Sequence, residues 1–275
     1  MVSHKKPGDK SEAEFFPIAL PRSVFFRTKF VSGSRIAPLP AEQPERDELA
    51  RRMRRFELFA RITVAAIKEI AADTTVRVYR RGEFIWRRGD KVDKIILLES
   101  GFVKAARRDR HGASKTYGLY GPGDCLGLFA LFAGTKHIID AVALNEGQRT
   151  ICIDVAPIFK LAEKSSRFSS NLHSQMSRFT EALINKIEII SAGTMSQRLA
   201  VLMMQLLDRY GTDKNENSAH LPVSLTLEQI SEIIDARLET VARVLGDWKR
   251  AGWLVIDSNG SHFSNLDKLR ELLPD

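Results

Sequence analysis

Residues 225–254, LTLEQISEIIDARLETVARVLGDWKRAGWL, constrain the fold most because they predict two helices joined by a tight turn. Thr226 and Gln229 have the spacing of a capping box, in which two side chains satisfy free backbone amides at a helix N-terminus. Apolar residues then recur at helical spacing, at Leu227, Ile230, Ile233 and Ile234. We therefore predict a first helix that ends near residue 234.

A second amphipathic run begins near Arg237, after the short segment 234–236. Long polar side chains cover one side of it, and the other side is apolar, with Leu238, Val241, Val244, Leu245 and Trp248. Gly252 follows the last turn, where glycine commonly ends a helix. The layout is a helix-turn-helix, whose second helix can present polar residues near its N-terminus to base edges in the major groove.

The segment Glu239-Thr240-Val241-Ala242-Arg243 resembles the E-T-V-x-R signature of the Crp/Fnr family of bacterial transcription regulators. The resemblance implies that Glu239 accepts from a cytosine amino group and Arg243 donates to a guanine, pairings that major-groove chemistry allows. Leu238 departs from the cAMP-receptor-type motif and Ala242 from the Fnr-type motif, so we expect a different half-site. A solvent-exposed ion pair is the alternative interpretation of Glu239 and Arg243.

Double-stranded DNA is therefore the expected partner. The net charge of +8 suits it, but residues 196–275 hold slightly more acidic than basic residues, so the local side chains must carry the argument. Phosphate contacts are expected from arginine and lysine. The predicted DNA-contacting residues are Arg198, Arg237, Glu239, Thr240, Arg243, Lys249 and Arg250.

Residues 75–155 have a different pattern, in which short runs of alternating apolar and polar residues are separated by turns that contain glycine. The runs lie at 76–79, 84–86, 94–98, 102–105, 117–120, 141–143 and 150–153. Evenly spaced short strands predict an antiparallel roll or barrel. The spacing of R-G-E-F-I-W-R-R-G-D, E-S-G-F-V-K and G-P-G-D-C-L-G is similar to the cyclic-nucleotide-binding β-roll of the same family.

The fold class expected is α+β, with an N-terminal antiparallel, jelly-roll-like β-roll, a long dimerisation helix and a C-terminal winged helix-turn-helix. We divide the chain into a mostly disordered basic leader (1–50), a cyclic-nucleotide-binding-like sensory roll (51–165), a dimerisation helix (166–194) and a DNA-binding domain (195–275). Helices are also expected over 47–72 and 195–210, and a polar loop over 211–221. A hairpin turning at Asn259-Gly260 forms the wing.

The long helix is predicted from Phe168 to Ile190, with apolar residues at near-heptad spacing. The seam consists of Leu172, Met176, Phe179, Leu183, Ile187 and Ile190. The family resemblance implies a dimerisation helix here; a helix packed on its own roll is the alternative. A homodimer suits two helix-turn-helix units that read a pseudo-palindromic site with half-sites about one helical turn apart.

The sensory roll departs from cyclic-nucleotide-binding relatives, which have Gly-Glu-Leu followed roughly ten residues later by Arg-Ser. This chain has Gly127-Leu128-Phe129 instead, and no arginine lies between Gly127 and Arg149. A buried cyclic phosphate without its arginine would be an unpaired charge, which costs several kcal/mol. We therefore predict that cAMP is not the ligand.

An apolar pocket is expected in the roll, lined by Leu126, Gly127, Leu128, Phe129, Phe179, Leu183 and Ile184. Its own side chains could fill it, or it could take an apolar effector or haem. His137 is the first candidate axial ligand for haem, with Cys125, His173 and Met176 behind it. The two cysteines, Cys125 and Cys152, are too few for a four-thiolate iron–sulfur cluster, and a thiol switch at either is a weaker hypothesis.

Other classes of protein are disfavoured. No apolar run approaches the length of a membrane span, and the N-terminus does not resemble a signal peptide, so we expect a cytoplasmic protein. A cupin-like enzyme needs a His/Glu metal cluster, but His111 and His137 form no H-x-H motif, and neither an enzyme nor a metal site is predicted. The leading hypothesis is a ligand- or redox-responsive regulator, with RNA polymerase as the partner that the resemblance implies; the alternative is a constitutive DNA-binding dimer with a self-filled roll.

Overall fold

A computed structural model of the chain describes residues 45–108, 110, 114–134 and 136–274. The leader predicted for residues 1–50 thus lies outside the described residues up to residue 44. Residues 45–50 already belong to the folded body, because α1 begins at Arg46 and buries Leu49 and Ala50.

The single helix predicted over 47–72 is divided into three. These are α1 (Arg46–Met53), a short 3₁₀ helix (Glu57–Phe59) and α2 (Val64–Ala71). Arg61 has a left-handed backbone with φ of 60°, which no α-helix accommodates. Thr63 then caps α2, its hydroxyl accepting from the amide of Ala66 at 3.4 Å.

Two four-stranded antiparallel sheets form the roll, as the strand pattern predicted. Their strands are β1 (Thr74–Tyr79), β2 (Phe84–Trp86), β3 (Lys94–Leu98), β4 (Val103–Arg108), β5 (Ser114–Tyr120), β6 (Cys125–Leu126), β7 (Asp140–Ala143) and β8 (Gln148–Asp154). One sheet has the order β1-β8-β3-β6 and the other β2-β7-β4-β5. The two-residue strand β6 was not predicted.

The continuous apolar run of β3 is explained by burial on both faces. Ile95 and Leu97 pack into a core shared with α1 and α2, whereas Ile96 and Leu98 pack between the sheets. Successive side chains of a strand point to opposite faces, so one strand contributes to both cores. β3 therefore has a paired strand on each side and apolar contacts on both faces.

Three helices follow or interrupt the roll. They are α3 (Leu128–Ala133), α4 (Val155–Lys164) and α5 (Ser166–Ser191). The long helix was predicted from residue 168 to 190; it begins slightly earlier because the hydroxyl of Ser165 accepts from the amide of Phe168 at 3.2 Å. No helix among the described residues is both long enough and apolar enough to cross a membrane.

The C-terminal region is a winged helix-turn-helix. Its elements are α6 (Met195–Tyr210), β9 (Ala219–Leu221), α7 (Leu227–Ile234), α8 (Leu238–Arg250), β10 (Leu254–Ile256), β11 (Ser261–Phe263) and α9 (Leu266–Arg270). β9 lies in the segment predicted to be a polar loop; it pairs with β11 and so adds a third strand to the wing. A strand of three residues with one polar member gives little periodic signal.

The roll and the C-terminal region share a hydrophobic core. Phe102 and Leu144 of the roll belong to the same cluster as Leu199 and Leu206 of α6. Phe102 and Tyr210 meet edge to face with ring centroids 5.1 Å apart. Gly121 allows this approach, since a Cβ there would lie 2.7 Å from an atom of each ring.

Candidate nucleic-acid interface and ligand pocket

The turn between α7 and α8 has the geometry that the sequence predicts. The amide of Thr226 donates to the Gln229 side chain at 2.8 Å, and the amide of Gln229 donates to the Thr226 hydroxyl at 3.2 Å. Asp235 ends α7 in a left-handed conformation, with φ of 54°. The chain turns there and α8 begins at Leu238.

One face of α8 is buried and the other is exposed. Val241, Val244, Leu245 and Trp248 pack into the C-terminal core. Glu239 and Arg243 are exposed, one helical turn apart, and Thr240 between them is half-buried. The side chains predicted to read bases therefore share one accessible face at the N-terminal half of α8.

The predicted phosphate-contacting residues have different surroundings. Arg237, Lys249 and Arg250 are exposed, and Arg250 pairs with Asp247 on the same helix. Arg198 instead donates to the carbonyl of Ile234 at 3.4 Å, at the C-terminal end of α7. Its guanidinium thus already contacts the helix-turn-helix itself.

The wing contains a histidine pair that the sequence did not reveal. His220 of β9 and His262 of β11 are cross-strand neighbours, with rings stacked 4.2 Å apart. The Asp257 carboxylate accepts from the amides of Asn259 at 2.7 Å and Gly260 at 3.1 Å, closing the hairpin. These amides lower the pKa of Asp257 because they stabilise the ionised carboxylate.

A cleft with a cavity volume of about 60 Å³ lies between the roll and α5. Five of the seven predicted pocket residues line it: Leu126, Gly127, Leu128, Phe129 and Phe179. The rings of Phe129 and Phe179 stack 4.0 Å apart. Ile184 is 51% exposed and Leu183 is half-buried, and neither lines the cleft.

Two of the four proposed haem ligands line the cleft and the other two do not. His137 and Cys125 line the cleft, whereas His173 is exposed and Met176 packs against the core beneath α1 and α2. The His137 ring stacks on Trp86 at 4.1 Å, and burial lowers its pKa to about 4. Burial raises the thiol pKa of Cys125 and of Cys152, which favours the unreactive thiol form and weighs against a thiol switch. Among the described residues, no group of three or more His, Cys, Asp or Glu could hold a metal ion.

The polar end of the cleft is organised by Asp124, which sequence reasoning missed. Its carboxylate is 3% exposed and accepts from the Tyr210 hydroxyl at 2.6 Å, from Arg209 at 2.5 Å and from the Gly121 amide at 2.8 Å. Arg178 of α5 lies 3.7 Å away. Because Arg209 and Tyr210 end α6, one buried carboxylate connects the cleft to the C-terminal domain.

The predicted seam of α5 is divided between two environments. Leu172 is buried in the roll core, Met176 packs beside it and Phe179 stacks in the cleft. Ile184, Ile187 and Ile190 instead form an exposed apolar stripe at helical spacing, with Ile187 58% exposed. Only the C-terminal part of the seam, with Ile184 added, is therefore accessible in a single chain.

Comparisons with known proteins match both halves of the chain. Residues 76–164 match the family described as the cyclic nucleotide-binding domain, and residues 197–272 the Crp-like helix-turn-helix domain. A CRP-like cAMP-activated global transcriptional regulator of Mycobacterium tuberculosis is 23% identical over 212 residues, covering 77% of this chain and 94% of the relative. The fumarate and nitrate reduction regulatory protein of Escherichia coli is 24% identical over 197 residues, covering 70% and 76%.

Solved structures share the fold. FixK2 from Bradyrhizobium japonicum has a TM-score of 0.64 and 18% identity, covering 74% of this chain and 98% of the other. A CooA mutant from Carboxydothermus hydrogenoformans has a TM-score of 0.57 and 19% identity, covering 73% and 88%. A roll of the cyclic nucleotide-binding type joined to a Crp-like helix-turn-helix defines a DNA-binding transcription regulator rather than an enzyme. The chain belongs to the Crp/Fnr family, which confirms the family that the sequence motifs predicted and the predicted fold class.

Proposed function

We propose that this regulator acts as a homodimer on a pseudo-palindromic DNA site, with one α8 in each of two successive major grooves. The single observation that carries the proposal is the exposed face of α8, where Glu239 and Arg243 lie one turn apart above a fully packed core. Carboxylate and guanidinium groups are suited to cytosine and guanine edges respectively.

The base-reading set of the proposal is Glu239, Thr240 and Arg243. Phosphate contacts come from Arg237, Lys249 and Arg250, with Arg198 at the edge of the interface. The exposed stripe of Ile184, Ile187 and Ile190 supplies the contact between the two copies. RNA polymerase is the further partner proposed from the family.

The cleft beside α5 is the proposed effector site, and cAMP is not its ligand. Leu128, where cyclic-nucleotide-binding relatives have glutamate, is 2% exposed and belongs to the roll core. An aliphatic side chain offers no acceptor to a ribose hydroxyl. The Asp124 contacts with Arg209 and Tyr210 would carry the state of the cleft to α6.

One observation favours a second candidate, a constitutive DNA-binding dimer. Phe129 and Phe179 stack directly against each other within the cleft, as expected if the protein's own side chains fill it. In that case no effector changes the affinity for DNA. A ligand can shift the regulator only through different affinities for its two states.

Selection of binding sites from a random DNA library tests the DNA-reading proposal. We expect two inverted half-sites with centres about 10 base pairs apart, bound by two protein chains. Enrichment of no sequence, or of one half-site bound by a single chain, would contradict it.

The effector is tested separately. An ultraviolet–visible spectrum of anaerobically purified protein tests for bound haem through its Soret band. Titrations with cAMP should leave the affinity for DNA unchanged.

A further inference from the structure

One carboxylate of the helix-turn-helix accepts hydrogen bonds from three side chains of the roll. Glu232, in the last turn of α7, accepts from Lys104 Nζ at 2.7 Å, Ser114 Oγ at 3.1 Å and Thr116 Oγ1 at 3.1 Å. All three donors use the same oxygen, Glu232 Oε2, and come from the neighbouring strands β4 and β5. We refer to these four side chains as the Glu232 contact.

Solvent screens this contact only weakly. The side chains of Lys104 and Glu232 are 16% and 21% exposed, and Thr116 is 1% exposed. A charge pair in such surroundings is stronger and more geometrically defined than a surface pair. By contrast, the nearby pair of Lys115 and Asp235, 3.6 Å apart, is more than half exposed on both sides.

The same turn of α7 is held from α5 and α6. Lys186 of α5 donates to the carbonyls of Ile233 and Glu232, and Arg198 of α6 donates to that of Ile234. Cations are stabilising at the C-terminus of a helix, where carbonyl groups are otherwise unpaired. Burial lowers the pKa of Lys186 to about 8, which still leaves it mostly charged at pH 7. The turn is thus held by β4 and β5 of the roll, by α5 and by α6.

This position determines where the reading helix begins. α7 ends at Ile234, and α8 starts four residues later at Leu238, next to Glu239. α5 carries both Lys186 and the exposed stripe of Ile184, Ile187 and Ile190, so the element proposed to join the two copies also holds the helix-turn-helix. In a dimer, the distance between the two α8 helices would follow from these contacts.

We propose that Glu232 is a specificity-determining residue that sets the half-site spacing the dimer accepts. It contacts no base; it positions α8 by holding α7 on the roll. Glu239 and Arg243 remain exposed when the Glu232 contact is formed, so this contact leaves the DNA-reading face of α8 accessible. A prepositioned pair of reading helices loses little conformational freedom on binding a site of matching spacing. Any other spacing requires the helices to move and is therefore bound with lower affinity. The proposal rests on the homodimeric, two-half-site function above.

The experiment compares DNA affinities for three sites. They are the selected site, the same site with two base pairs added between its half-sites, and a single half-site. For the wild type we expect the altered spacing to weaken binding at least about tenfold. We call the ratio of the affinities for the selected and the altered spacing the spacing ratio. Glu232→Lys should reduce the spacing ratio to within about threefold and leave the affinity for a single half-site close to that of the control. The control is Glu216→Lys, which makes the same charge change at an exposed position of the same domain.

Two further variants exclude a local folding defect. Lys104→Glu changes the roll alone and should lose the spacing preference as Glu232→Lys does, whereas the double variant Lys104→Glu/Glu232→Lys should regain it. A wild-type spacing ratio in either single variant, or no recovery in the double variant, would overturn the role of Glu232. If the wild type binds no two-half-site DNA, the proposed function itself fails, which is a separate result.

Discussion

The hydroxyl of Tyr210 donates a 2.6 Å hydrogen bond to the buried carboxylate of Asp124, joining the last residue of α6 to the rim of the cleft. Burial raises the pKa of Tyr210, so the phenol keeps the proton that this bond requires. The contact gives the cleft and the DNA-binding domain one shared polar group, beside the apolar contact of Phe102 and Tyr210.

We expect Asp124→Asn to lower the free energy of unfolding by about 2–3 kcal/mol, because Arg209 and Tyr210 lose a charged acceptor in a buried site. Tyr210→Phe should cost about 1 kcal/mol. Chemical unfolding of the two single variants and the double variant measures their coupling. Asp208→Asn, at an exposed position of α6, is the control. If the changes in the free energy of unfolding simply add in the double variant, Asp124 and Tyr210 are not coupled as we describe.

Gly121→Ala should destabilise the protein by about 1–3 kcal/mol, since the new methyl group would lie 2.7 Å from atoms of Phe102 and Tyr210. Gly134→Ala is the control, because a Cβ there meets nothing within 4 Å and the backbone φ of 177° suits any residue. Thermal unfolding distinguishes them. Equal melting temperatures for the two variants would show that the junction has more room than we describe.

His137 should make the folded state sensitive to acid. The ordinary imidazole pKa is 6.5 and burial lowers it to about 4, so the unfolded state binds more protons between these values. The contribution of neutral His137 to the free energy of unfolding is therefore fully present above pH 6.5. It declines as the pH falls towards 4, by about 3 kcal/mol at most. Urea unfolding of wild type, His137→Asn and the exposed control His173→Asn over this range measures it. The same pH dependence in wild type and His137→Asn would exclude His137 as the cause.

Ile187→Glu should shift the protein towards monomer, because it places a charge in the exposed stripe proposed to join two copies. Sedimentation at micromolar concentration measures the effect. Val64→Glu is the control, since Val64 is also exposed, at 40%, but lies on α2. A dimer that survives Ile187→Glu would place the contact elsewhere.

Local pattern explains what the sequence predicted well. The capping box of Thr226 and Gln229, the exposed face of α8 and the alternating strands all depend on residues close together in the chain. The two helices of the helix-turn-helix could therefore be placed almost to the residue, and the predicted strands of the roll to within three residues. The same reasoning joined α1 and α2 into one helix, because the left-handed Arg61 has no sequence signal of its own.

Contacts between distant residues explain what was missed. Asp124 and Arg209 are 85 positions apart, and Lys104 and Glu232 are 128 apart, so no periodicity connects them. The heptad spacing of α5 grouped Leu172 with Ile187 and Ile190, and it could not show that Leu172 faces the protein's own roll while the other two are exposed. An apolar stripe says that a helix is covered, not what covers it.

The most direct test of the central claim, that α8 reads DNA through Glu239 and Arg243, is the base preference of Glu239→Ala at each position of the selected site. Removing a base-edge acceptor should relax discrimination at one base pair per half-site by about 1–3 kcal/mol. Glu271→Ala, outside α8, should preserve the wild-type preference at every position. An unchanged base preference for Glu239→Ala would show that α8 is not the reading helix as described.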